Sequence, residues 1–226
     1  MDEASASPLS RGLDWLRSVP ATLFLCGLFV LVFAAEWYVW DRLGYRTFVA
    51  LFIATTEPSP GWLLAPLAHL PTDPRHLVSS VVQLLLFGGV VERRLGRRQF
   101  LALAAVSGLA TTGAQVAWYV SLGVSGRVAG TLGASGVVLA MTALVVVDSV
   151  RYRLATGGWH GEVTWLWVFF GSVIAGQAVF GLLALAAGTA EVGVVGHVAG
   201  VAIGLGVGLV RPTGAVLFSA DARYRS

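Results

Sequence analysis

Neither lysine nor asparagine occurs among the 226 residues, and there is a single cysteine. Charged residues make up only 12% of the chain against 56% hydrophobic, a balance outside the range of soluble domains. The lone Cys26 excludes an internal disulfide and lies within an apolar run, which makes it a packed thiol rather than a nucleophile. All fifteen basic residues are arginine, and they fall at the ends of apolar runs. The pI near 9.5 therefore does not point to nucleic acid as a partner. No His-Glu-x-x-His pair occurs, and Asp148 is the only aspartate near the later apolar runs. A zinc-protease ligand set and a paired-aspartate mechanism are both excluded, and no metal or cofactor is expected.

What is present is a polytopic membrane protein. Six segments are long and apolar enough to be read as spans: Pro20 to Trp40, Arg75 to Val91, Gln99 to Leu122, Gly133 to Val147, Val163 to Ala187 and Val192 to Val210. Met1 to Val19 is polar and lacks the apolar core and small-residue cleavage site of a signal peptide, so the first run is expected to stay in the protein. The predicted organisation is a cytoplasmic tail over 1–19, a six-helix membrane domain over 20–211 and a cytoplasmic tail over 212–226. Orientation follows from arginine: eleven lie on the side of the two termini (Arg11, Arg17, Arg93, Arg94, Arg97, Arg98, Arg151, Arg153, Arg211, Arg223, Arg225) and four on the other (Arg42, Arg46, Arg75, Arg127). Both termini are expected in the cytoplasm, the protein being a multi-pass component of the cell membrane. The connection from Asp41 to Pro74 is too long for a turn and rich in proline and apolar residues, which predicts a partly inserted loop.

The stretch Gly130-Thr131-Leu132-Gly133-Ala134-Ser135-Gly136 runs a glycine-rich loop into an apolar helix with Ser135 in its first turn. N–H groups there have no intrahelical partner and carry the positive end of the helix dipole, which suits an oxyanion beside Ser135. Gly-x-Ser-Gly by itself equally fits helix packing. A nucleophile needs a base, and the intramembrane candidate is His197. Ser135 precedes Asp148 by thirteen residues and His197 precedes Arg211 by fourteen, about 20 and 21 Å of helix, so the two are expected at one depth. Gly196, Gly200, Gly204 and Gly208 form a smooth stripe beside His197, and Gly133, Gly136 and Ala140 form another beside Ser135, allowing the backbones to approach.

His76, at the start of the second span, and Ser80, one turn deeper, are candidates to donate to an oxyanion; the alternative for His76 is a helix-capping role. His69 and His160 are expected near the faces, without chemistry. Gln83, Gln115 and Gln177 fit interhelical hydrogen bonds or a transport path.

Taken together, the long first loop, His76, Glu92-Arg93-Arg94-Leu95-Gly96, Gly133-Ala134-Ser135-Gly136 and His197-Val198-Ala199-Gly200 with Gly204 resemble the rhomboid intramembrane serine proteases. The resemblance implies an all-α, six-transmembrane-helix bundle and a Ser135–His197 dyad without a third acid, with His76 and the Ser135 N–H holding the oxyanion. It also implies a water-filled cavity opening outward, and a fifth helix and following loop that admit the transmembrane segment of a single-span substrate. The chain departs from the family pattern in having Ser80 where asparagine is usual, Leu139 where an aromatic residue often follows the nucleophile, and no Trp-Arg pair in the first loop. These departures keep open a rhomboid-like protein that binds membrane helices without cutting them.

Overall fold

The computed structural model describes residues 8–124, 130–158, 164–187 and 193–210. Arg127, His160, Arg211, Arg223, Arg225, the loop before the last helix and the tail over 212–226 lie outside the described residues. Ten α-helices and one two-stranded pairing make up the described chain. Four helical stretches are long and apolar enough to cross a membrane: Pro20–Leu43, Pro74–Leu95, Arg97–Ser121 and Val168–Ala186, with the shorter apolar helix Val194–Val210 beside them. The protein is a helical, multi-pass membrane bundle.

Helix α1 (Pro8–Ser18) replaces part of the expected solvated tail, and the Trp15 ring packs where a side chain at Gly89 would stand. Helix α2 (Pro20–Leu43) opens with proline at its first position, where no N–H is needed. Its next two N–H groups, Ala21 and Thr22, donate at 2.9 and 2.6 Å to the two carboxylate oxygens of Glu92. Glu92 is thus a cap supplied from 71 residues away, binding the start of the first span to the end of the second.

The second span is interrupted. Helix α5 (Pro74–Gln83) passes through a π-helical turn, Leu84–Gly88, into α6 (Gly89–Leu95), so it is longer than the Arg75 to Val91 segment expected from hydropathy. Gly96, at φ +80°, turns the chain sharply into α7 (Arg97–Ser121). Helix α8 (Ser135–Thr156) also outruns its expected end at Val147. Asp148 does not mark the helix boundary; it is buried within α8 and pairs with Arg94 at 3.4 Å. A short apolar signal sufficed because α8 is the most enclosed helix, packed by protein over most of its surface. Helix α9 (Thr164–Ala186) is the opposite case, with only 11% of its apolar window buried, and so stands at the bundle's edge. Helix α10 (Val194–Val210) closes the bundle. The core gathers Phe29, Leu84, Phe87, Phe100, Val138 and Met141 between α2, α7, α8 and the second span, with Cys26 among them as a buried free thiol.

The first loop is folded. It contains α3 (Tyr45–Phe52), β1 (Ala54–Thr55), α4 (Gly61–Leu64) and a 3-10 turn, Ala65–Leu67. Phe48, Val49 and Phe52 of α3 pack on Val32 and Val39 of α2. A Cβ at Gly61 would meet the Ile53 carbonyl, a close approach only glycine permits.

Candidate active site

The register of α10 against α8 follows from glycine. A Cβ at Gly200 would meet the carbonyl oxygen of Gly136, one at Gly204 that of Ala140, and one at Gly208 the Val147 side chain. Contacts rise together along both helices, so α8 and α10 run parallel at backbone contact. Arg151 adds a hydrogen bond to the Gly208 carbonyl. At the other end, the Gln115 side chain of α7 accepts from the Gly196 N–H at 3.0 Å, which fixes the first turn of α10 and makes Gln115 an interhelical tie. Of the other two glutamines singled out from the sequence, Gln83 is half-buried and Gln177 exposed.

Ser135 and His197 meet at the head of this pair. Ser135 Oγ lies 2.8 Å from His197 Nε2. With the ring proton on Nδ1 the hydroxyl donates to Nε2, leaving the nitrogen poised to take that proton. Among the described residues no carboxylate bonds to His197. Both side chains are half-buried and line a cavity of about 360 Å³ with His76, Thr111, Thr112, Leu132, Gly133 and Gly196.

The loop before Ser135 is held by the first loop rather than by its own helix. Strand β2 (Gly130–Thr131) pairs antiparallel with β1, Ala54 opposite Thr131 and Thr55 opposite Gly130. The Gly133 N–H then donates to the Ala65 carbonyl at 2.8 Å. Gly133 sits at φ +133°, a conformation side chains rarely adopt. A methyl there would lie 3.1 Å from His76 Cε1, 3.6 Å from His76 Nε2 and 3.4 Å from Ser135 Oγ, so the bare glycine leaves a small space between imidazole and hydroxyl. The first turn of α8 faces the same space with N–H groups that have no intrahelical partner.

A family model for the rhomboid domain matches residues 61–212, well over half of the chain. The chain belongs to the rhomboid family. No curated protein matches the chain closely enough to count as a relative.

Within this rhomboid bundle, the residues singled out from sequence are placed as follows. Ser135, His197, His76 and Gly133 converge on the cavity, while Gly136, Gly200 and Gly204 provide the backbone contact behind it. Glu92 and Gly96 lie at the other end of the second span, as cap and turn. Ser80 is buried one turn below His76 and is not among the cavity-lining residues; Leu139 is buried in α8.

His69, expected near a face and without chemistry, is instead completely buried. Its ring lies against His76, centroids 5.1 Å apart, and against Phe29 at 5.4 Å. Its N–H donates to both carboxylate oxygens of the equally buried Glu36, at 2.9 and 3.0 Å. Neither ring nitrogen makes a hydrogen bond. Burial, then the neighbouring His76, push this imidazole from 6.5 down to about 4; the Leu67 carbonyl pulls weakly the other way without forming a well-aligned bond. The ring is neutral at neutral pH, and each unpaired buried polar group costs about 1 to 3 kcal/mol. The sequence signal was slight: a histidine seven residues before another, in a loop whose fold hydropathy does not reveal.

Proposed function

We propose that this rhomboid protein is an intramembrane serine endopeptidase that cleaves the transmembrane segments of single-span membrane proteins. The observation that carries the reading is the 2.8 Å approach of Ser135 Oγ to His197 Nε2 beside an open, partly polar cavity. Ser135 attacks the scissile carbonyl while His197 takes its proton; the tetrahedral oxyanion is held by the Ser135 N–H and by His76. His197 then protonates the leaving amine, and water, activated by the same imidazole, hydrolyses the acyl-enzyme. Ser80 is a lesser candidate in oxyanion support because it stands off the cavity.

A dyad suffices because His197 is oriented by the Gln115 tie and by the glycine contact rather than by a carboxylate. A peptide bond within an intact helix is shielded, so suitable substrates carry glycine or proline that loosens the helix near the site. The exposed α9 is the element past which such a segment would reach the cavity. With the arginine-rich ends facing the cytoplasm, the cavity opens on the opposite side of the membrane.

The test is labelling of purified protein in lipid by a fluorophosphonate probe, wild type beside Ser135→Ala. Labelling of the wild type alone is expected. Absence of labelling from both, in a folded preparation, would favour a helix binder with no cleavage, the reading that Ser80 and Leu139 support.

Gly133→Ala tests the oxyanion space. The methyl both strains the backbone and stands between His76 and Ser135, so cleavage of a single-span test substrate should slow by about a hundredfold while the variant keeps its thermal stability within a few degrees. An unchanged rate would remove His76 from the mechanism.

A further inference from the structure

Two buried polar groups outside the dyad, Glu36 and His69, are joined to each other beside His76. Glu36, a carboxyl group buried in α2, turns both oxygens to one backbone N–H, that of His69. The effect is to pin the backbone at the point in the first loop from which the His69 ring reaches His76. The side chain at that point is an imidazole whose two nitrogens are buried without partners. Packing alone would be served better by phenylalanine, since the other neighbour is the Phe29 ring. A polar ring held here at a cost, edge-on to a second imidazole at 5.1 Å and an interplanar angle of 64°, indicates use of its nitrogens during the reaction.

The need is specific. To donate to an oxyanion, neutral His76 must carry its proton on the nitrogen facing Gly133 and Ser135, and which nitrogen carries it is set by what the other one meets. A donor to the other nitrogen holds the ring in the productive tautomer; with no such donor the opposite tautomer is populated as well, and that fraction contributes no hydrogen bond to the oxyanion. Hydrogen bonds of this kind are often long in the free enzyme and tighten as charge develops.

We propose that His69 is a positioning residue for His76, fixing the plane of that imidazole and, by donating a ring N–H to it, the tautomer that donates toward Ser135. The proposal rests on the reading of His76 as oxyanion donor. Glu36 serves it by holding the His69 backbone, and Phe29 by packing against the ring.

His69→Phe keeps the ring and its packing and removes only the nitrogens. In full-length protein reconstituted in lipid, kcat for a single-span test substrate should fall about ten- to a hundredfold with KM within twofold. In parallel, 15N spectra of labelled imidazoles, assigned with His76→Gln, should show one predominant His76 tautomer in the wild type and a measurably larger share of the other in His69→Phe. A variant that cleaves like wild type, or His76 nitrogen shifts that do not move, overturns the proposal. If His69→Phe does not fold, His69→Gln, which retains an N–H donor without the ring, should keep a His76 spectrum closer to wild type than His69→Ala does; equal spectra for the two overturn the proposal. Wild type and Ser135→Ala run alongside separate the two levels. A wild type that neither cleaves nor takes a fluorophosphonate defeats the proteolytic reading, whereas a cleaving wild type matched by His69→Phe defeats only the positioning role.

Discussion

His197→Ala is expected to reduce cleavage by a factor of about 10⁴ to 10⁶ with little change in substrate affinity, because nucleophile and base act as a unit and neither retains much value alone. A serine hydroxyl is a poor nucleophile near neutrality, and with Nε2 removed from its 2.8 Å contact no other side chain among the described residues is hydrogen-bonded to the hydroxyl. Ser135→Ala and the double variant should therefore fall to the same floor. Multiplicative losses in the double variant would mean that the two side chains contribute independently, which the dyad does not allow. Thermal unfolding of His197→Ala in detergent should stay close to that of wild type, since the imidazole is half-buried and the helix is held elsewhere by Gly196, Gly200, Gly204 and Gly208.

Gly204→Leu should produce a loss of similar size by a different route. A Cβ at this position meets the Ala140 backbone oxygen and lies 2.9 Å from the Ala143 Cβ, so the obstacle is main chain and a short side chain that cannot rotate away. Helix α10 must move off α8, and His197, two turns nearer the cavity on the same rigid helix, moves with it. A displacement of 1 Å at a reacting pair costs about a hundredfold, and opening a backbone contact by a leucine's width exceeds that. We expect cleavage below detection and a loss of about 3 kcal/mol in stability, read from unfolding in detergent. Gly206→Leu is the control: nothing lies within 4 Å of a Cβ there, and its activity should match wild type. Equal activity in both variants would remove the glycine stripe from the account of how the dyad is assembled.

The contrast between those two glycines shows what hydropathy and spacing conveyed. A four-residue glycine period states that one face of α10 touches another backbone, and depth counting placed Ser135 and His197 level although one of its two anchors, Asp148, is interior to its helix. The estimate survived because Arg94 ends the second span at the level of Asp148, so the charge pair still marks the edge of the apolar region. What spacing could not convey was anything depending on contacts between distant loops. The β1–β2 pairing rests on two residues per strand, too short for any periodicity, and its partners are some 76 residues apart. Glu36 and His69 stand 33 residues apart, and only the fold of the first loop makes them neighbours. The Ser80 position was legible as one turn below His76, but that it is buried off the cavity depends on how α5 packs against the other helices, which spacing along one helix does not convey.

The strut from the first loop to the serine's loop also orders events in time. Ala54, Thr55 and Ala65 are synthesised long before Gly130 and Gly133, so the platform awaits the segment it will grip. The imidazole that meets the hydroxyl follows 62 residues later, on α10. If the proposed dyad operates, a nascent chain that has not yet reached Val194 carries the alcohol without its proton acceptor.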